Sequence, residues 1–405
     1  MAAPDLLARD LRASPLYELV LYDRLPAAQR EALAELARDP QLYGVLRPRG
    51  GGGGVKSVDR DTALLFLTLR EPGPLPAYVR GALGAAAGRT IARLVADGVL
   101  EVAHGNGFVS GPAALPLLAA AGAARDGDDD TRDGRLAALS RAALRYAESL
   151  PIDEPSLLAW RLYAFNRLPL TPRWRRLLPD AAAVERHLGI APGGPHRRQL
   201  DRAWTPTAST GWLSWTARRS GRGGRSAAPA GGPTWKLYVS PLPAALVVGN
   251  GGDDGFGAVL AAITASGAAQ FKIGRDAAGL LRPDKIVAYF PSFERLAAAA
   301  EGVLRHLGGA PAQGVPFTSE IGGGGLLSWG VDPPESEGLP GAAPESWRLW
   351  LAHRLARALL AARAPAAAGV AVAEIEPWRF ALERLRLEGV DTATWTPGAA
   401  LWKEA

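Results

Sequence analysis

Cysteine is absent from all 405 residues. That one absence excludes a disulfide framework, a cysteine-ligated zinc site, an iron–sulfur cluster and a cysteine nucleophile. It fits a reducing compartment. Long apolar runs are missing too, and none approaches the roughly 18 residues of a membrane span. The opening MAAPDLLARDLRA has no apolar signal-peptide core, so a cytoplasmic location away from membranes is expected. Motifs of several enzyme classes are also lacking. There is no GxxxxGK[ST], no HRD-like catalytic loop, no GxSxG elbow and no HExxH. The glycine-rich GNGGDDGFG at 249–257 carries no lysine and no clear helix start, and reads as a loop. No metal or cofactor site is expected.

What is present is globular: 48% hydrophobic and 21% charged residues, enough chain for two or three domains. The 46 basic residues outnumber the 40 acidic ones only slightly, and just five of them are lysines. The rest are arginines, whose planar fork grips carboxylate or phosphate bidentately. Two linker-like runs divide the chain, RDGDDDTRDG at 125–134 and RRSGRGGRSAAPAGG at 218–232, and a shorter glycine run at 50–54 lies inside the first block. They suggest domains at 1–124, 135–217 and 233–405.

The first block reads as a winged-helix-like domain. Helices are predicted over 27–37, 75–87 and 90–96, the last two separated by Gly88, with Gly98 closing the last. A hairpin of 99–103 and 107–110 follows, turning at Asn106-Gly107. The presumed recognition helix, RTIARLVADG, offers only Arg89 and Arg93, whereas a DNA reader needs several phosphate contacts and base-reading side chains. The same plan binds a peptide by strand addition along the wing, here 99–110. The middle block is predicted helical over 136–150 and 157–165. Its aromatics, Trp160, Tyr163, Phe165, Trp174, Trp204, Trp212 and Trp215, serve a core or line a peptide groove.

From 233 the texture changes. Strands are predicted at 235–240, 270–273, 285–290 and 326–331, and helices at 293–307 and 347–364, giving an α+β class overall. Three of the five lysines, Lys236, Lys272 and Lys285, fall in or at these strands. A half-buried lysine loses proton affinity to burial and to nearby cations, and becomes a usable base. Arg275, Arg282 and Arg354 are candidates for those cations. The plainer reading is three edge lysines with their stems lying on apolar surface.

The ordered series TWKLYVSP, AQFKIGRD, RPDKIVAYF, GVPFTSEIG, GLLSWGVDPP and AHRLARALL resembles the HopA-type effector-like proteins of class V lanthipeptide and thioamitide biosynthesis. These in turn resemble, more distantly, the phosphothreonine lyase effectors and the lyase domain of class III and IV lanthipeptide synthetases. The resemblance covers about 145–405 and is strongest over 233–355. It implies a lyase that removes phosphate from phosphoserine or phosphothreonine of a ribosomal precursor peptide, leaving dehydroalanine or dehydrobutyrine. It needs no cofactor, and it works with a partner Ser/Thr kinase and a separate cyclase. In the lyase families a Lys-x-His pair on the first strand supplies the acid. Here that strand offers Lys236 and Tyr238 instead. Lys272 matches the base; Arg282, Lys285 and Arg275 match the phosphate-holding segment. A later family arginine faces Ser328 here, with Arg354 as its candidate replacement and His353 as the candidate acid. The first block would bind the precursor leader. Two alternatives from other classes stay open: a winged-helix transcriptional regulator, and a noncatalytic scaffold that presents the peptide to a kinase.

Overall fold

The computed structural model describes residues 6–49, 55–121, 134–218, 234–247, 254–333, 345–363, 376–398 and 401. Residues 50–54, 125–133 and 219–232 of the linker-like runs lie outside them. The chain is α+β and forms two compact units. Among the described residues, one unit holds 6–121, 354–363 and 376–390, and the other holds 134–333, 345–353 and 391–398.

The first unit runs β1 (Asp10–Ala13), β2 (Tyr17–Leu21), α1 (Ala27–Ala32), β3 (Leu42–Pro48), β4 (Lys56–Asp59), α2 (Arg60–Thr68) and β5 (Gly73–Pro74). It continues through α3 (Ala77–Leu83), α4 (Ala87–Ala96), β6 (Leu100–His104), β7 (Gly107–Val109) and α5 (Leu115–Ala121). The helix preceding the α3–α4 pair is therefore α2, not the expected 27–37, whose α-helical part ends at Ala32, is followed by a 3₁₀ turn at Leu36–Arg38, and buries no residue. The break between the paired helices also moves. Gly84 sits at φ 54° after α3, while Gly88 lies inside α4. α4 buries Ile91, Ala92, Val95 and Ala96 on one face. It stops as expected at Gly98 (φ 68°): the Val99 amide donates to Leu94 O and the Gly98 amide to Val95 O. The hairpin turns at Gly105-Asn106 rather than Asn106-Gly107, with Gly105 at φ 59° supplying the first turn position.

Two small sheets complete this unit, β5-β1-β6-β7 and β2-β3-β4. In the first, β6 is paired on both sides, so among the described residues β7 keeps the open edge in the wing.

The second unit begins with α6 (Arg135–Glu148), α7 (Pro155–Tyr163), α8 (Pro172–Leu177), α9 (Ala181–His187) and α10 (Arg197–Ala203). It then runs β8 (Trp204–Thr207), β9 (Trp212–Ala217), β10 (Trp235–Val239), α11 (Gly255–Ala265), β11 (Gln270–Gly274) and α12 (Ala277–Leu280). After these come β12 (Ile286–Phe290), α13 (Phe293–Leu307), β13 (Ser319–Ile321), β14 (Leu327–Val331) and α14 (Trp347–Arg363). α14 belongs to this unit as far as His353 and to the first unit from Arg354, where α15 (Pro377–Leu387) follows. The middle block is thus not wholly helical: its end forms two strands. α11 also replaces part of the expected glycine-rich loop, because Asp254 caps it by accepting the Gly257 amide at 3.0 Å.

All seven strands β13-β14-β10-β12-β11-β9-β8 pair antiparallel in that spatial order. Alternation gives the sheet two unlike faces. One carries Leu237, Val239, Phe271, Ile273, Ile286, Ala288 and Leu327, all fully buried against α11 and α13. Phe271 is enclosed by Trp204 edge-on at 4.7 Å and by Trp215 stacked at 4.8 Å. The other face is polar and carries the lysines.

On that polar face Gly330 lets Trp347 of α14 lie against β14. A Cβ at 330 would stand 2.8 Å from the Trp347 ring. Gly330→Ala is expected to cost about 1–3 kcal/mol in urea denaturation. Gly309→Ala, where a Cβ meets nothing within 4 Å, serves as the neutral control.

Candidate functional site

The polar face collects its residues by register. Lys272 stands opposite Ser214 and Val287, Lys236 opposite Tyr289 and Gly330, and Tyr238 opposite Val287 and Ser328. Lys236 and Lys272 therefore share one face on strands separated by β12, with Tyr289 between them. The Tyr289 ring lies 5.1 Å from Lys236 Nζ and 5.7 Å from Lys272 Nζ. Trp212 forms the second wall, 4.5 Å from Lys272 Nζ and 4.6 Å from the Arg282 guanidinium. Aromatic faces attract cations at these distances and hold them without neutralising them.

The two lysines differ in their partners. Lys236 is buried and ion-paired with Asp332, which also accepts the Trp347 amide at 3.0 Å. Lys272 is half-buried and has no ion-pair partner among the described residues. Burial, then the charges of Lys236 and Arg282, push its pKa down to about 8 against the pull of Asp284 and Asp332.

Arg282 is set by Asp284. Its Nε and Nη2 donate to the two Asp284 oxygens at 2.8 and 2.9 Å, while Nη1 takes no part in these bonds. Arg348 of α14 donates to the same carboxylate at 2.9 Å, and the Tyr163 hydroxyl donates to it at 3.1 Å. Asp284 is 4% exposed and Arg348 1% exposed. Burial would raise the Asp284 carboxyl, but the two guanidinia overcome it and hold the group well below the usual carboxylate range.

The remaining expected residues are placed differently. Lys285 is fully buried, and its Nζ donates to Gln313 Oε1 at 2.6 Å. It is a core residue, not a phosphate ligand, because the depth of the β12 entry seals it from any substrate. Tyr238 shares the lysine face but is 3% exposed and packs with Val287 and Val315. Tyr289 presents the accessible ring. Arg275 is exposed and lines a separate cleft of about 320 Å³ with Trp212, Ser214, Arg197 and Asp201. Arg354 belongs to the first unit, where it pairs with Glu388 at 2.6 Å. The arginine that α14 brings to the site is Arg348, one and a half turns earlier. His353 pairs with Glu345.

Asp284, Arg348, Asp332 and Tyr289 were not anticipated as site residues, and Trp212 was expected only among the aromatics of a core or peptide groove. Tyr289 was legible in principle, as an aromatic on an alternating position of the strand expected over 285–290. The other three act through partners distant in sequence. Among the described residues no group of three or more His, Asp or Glu is placed to hold a metal ion, and no helix is long and apolar enough to cross a membrane.

No protein-family model matches the chain, and no curated protein matches it. The solved structures that resemble it include two effector proteins of Pseudomonas syringae. The one from pathovar syringae strain 61 has a TM-score of 0.34 and 13% identity, covering 66% of this chain and 98% of the effector. The one from pathovar tomato strain DC3000 has a TM-score of 0.34 and 10% identity, covering 64% and 97%.

Two outcomes are expected of the buried charges. Asp284→Asn leaves Arg348 buried without its counter-charge, and should cost about 3–5 kcal/mol in urea denaturation. Lys285 has its pKa lowered to about 7 by burial. Below that pH both folded and unfolded chains carry the proton, and the burial penalty is complete. Between about 7 and the ordinary lysine range only the unfolded chain keeps it, so stability rises with pH. Lys285→Met should remove that rise, read as the difference in urea midpoint between variant and wild type at pH 7 and pH 9.

Proposed function

We propose that the second unit eliminates phosphate from phosphoserine or phosphothreonine of a ribosomal precursor peptide, leaving dehydroalanine or dehydrobutyrine. The reading rests on one juxtaposition: a half-buried lysine poised to lose its proton, beside an ammonium and a guanidinium, on an open sheet face.

In this mechanism the neutral Lys272 amine takes the Cα proton. The C–H electron pair becomes the second bond between Cα and Cβ. The Cβ–O bond breaks with its electrons leaving on phosphate. The Cα proton is a very weak acid, so the base must be largely neutral near the working pH. Lys236 is ion-paired with Asp332, and Arg282 has Nη1 outside its contact with Asp284. Both stabilise the enolate-like intermediate and the departing phosphate. Tyr289 and Trp212 line the space between these cations and Lys272, which is the one of the three without an ion-pair partner among the described residues. A separate kinase would supply the phosphate ester and a separate cyclase would consume the dehydrated product.

The first unit would hold the unmodified leader by strand addition. β7 is the edge for this, since β6 is already paired on both sides. The full chain should bind leader peptide with an affinity that changes little with salt. A steep salt slope with duplex DNA and no leader binding would favour a regulator.

The test of the lyase is incubation with a phosphopeptide, following free phosphate and peptide mass. The wild type should release phosphate and leave a peptide one water lighter than the unphosphorylated form. Lys272→Ala should slow this by about 10²–10⁴-fold with an unchanged circular dichroism spectrum. Lys272→Arg should not rescue it, since guanidinium stays protonated. The wild-type rate should climb with pH through about 8, as the free amine of Lys272 appears. Unchanged phosphopeptide under all conditions would overturn the reading.

A further inference from the structure

The stretch from 155 to 179 contains five arginines, at 161, 167, 173, 175 and 176, and no acidic residue. In the fold its first part, α7 and the turn after it, forms one wall of a half-open cleft of about 430 Å³. Arg282, Pro283 and Asp284 form the other wall. Arg161 and Arg167 are exposed at this cleft, and Trp160 and Leu157 beside them are 57% and 44% exposed. The single acid in the lining, Asp284, is bound by two guanidinia and the Tyr163 hydroxyl. Among the described residues no ion pair engages Arg161 or Arg167, so the cleft presents positive charge next to exposed apolar surface. It is continuous with the lysine face through Arg282, which lines the cleft and also stacks on Trp212.

We propose that this cleft seats the substrate segment flanking the reacting residue, and that it selects peptides with carboxylate side chains there. Arg161 and Arg167 take the carboxylates, and Trp160 and Leu157 cover the apolar stems. The inference rests on the phosphopeptide reading of the site, but it makes a binding claim that does not need turnover. A peptide fits better than a nucleic acid because the cleft offers one exposed aromatic and room for a few side chains. A nucleic-acid strand needs a run of stacking platforms along a longer groove.

The experiment uses the full chain carrying Lys272→Ala, so that nothing is consumed, and measures binding of three fluorescent phosphoserine peptides by anisotropy. Their flanking positions are aspartate, alanine or lysine. The aspartate peptide should bind roughly tenfold more tightly than the alanine peptide, the sum of two exposed charge pairs. Arg161→Glu with Arg167→Glu should abolish that preference and favour the lysine peptide. Both residues are exposed, so the doubly reversed chain should keep its melting temperature. Equal binding of the three peptides, or an aspartate preference that survives the reversal, overturns the cleft assignment. So does tighter binding of single-stranded RNA or of phosphatidylserine vesicles than of the aspartate peptide. Failure of the lyase reading shows separately, as an absence of phosphate release by the wild type alongside an intact aspartate preference. If the wild type releases phosphate from all three peptides with the same KM, the lyase stands and the cleft assignment falls.

Discussion

The polar face of the second unit is organised by one buried carboxylate. Asp284 sits just ahead of β12, in contact with Arg282 beside it in the chain, Arg348 from α14 and Tyr163 at the end of α7. Burying a charge costs several kcal/mol unless its partners are well placed, and here two guanidinia and a hydroxyl share the two oxygens. The Arg348 guanidinium is further fixed by the Tyr163 and Pro316 carbonyls. The result is a junction that ties α7, α14 and the sheet into one arrangement. It also settles the direction of Arg282: two of its three nitrogens are committed, and its plane rests on Trp212.

Around that junction three lysines of similar sequence context acquire different chemistry through depth and partners alone. Lys285 lies at the closed end of its strand, fully buried against a glutamine. Lys236 is buried but faces an acid from the end of β14. Lys272 is half-exposed, has no acid partner among the described residues, and feels the charges of Lys236 and Arg282. The Tyr289 ring lies between Lys236 and Lys272 and Trp212 touches both Lys272 and Arg282, while Asp332 and Asp284 pair with Lys236 and Arg282. A base needs a cation-rich but unneutralised setting, and only the Lys272 position provides one.

The first unit follows a different logic, with its helices held by charges at their ends. Arg384 of α15 makes a two-pronged contact with Asp97, at the C-terminal end of α4, at 2.7 and 2.8 Å. Glu388 joins Arg384 to Arg354. α15 thereby packs along α4, the helix that sequence pattern alone would offer to a DNA groove. Arg354, expected at a phosphate, is instead part of this clamp. A late helix in sequence contributes to the unit formed by the first residues, which no linker-based division of the chain suggests.

The sequence alone determined several of the local elements from about 235 onward. Period-two alternation located β10, β11, β12 and β14, and 3.6-residue spacing located α13 with its bounds intact. The alternation also placed Lys236 and Lys272 on strands, because a lysine in a run of apolar residues stands out. Other elements escaped. α2 has no glycine or proline boundary at its start, and α11 is apolar all round, so neither has a one-sided pattern to read. Tertiary structure decided the site. Whether Lys285 meets solvent depends on where its strand begins in the sheet, and whether Arg348 or Arg354 serves the site depends on which unit each stretch of α14 joins. Asp284 and Arg348 are 64 residues apart, and neither has a local signature. Pairing of charges across such a span is set by packing, and packing is not written in any window of the chain.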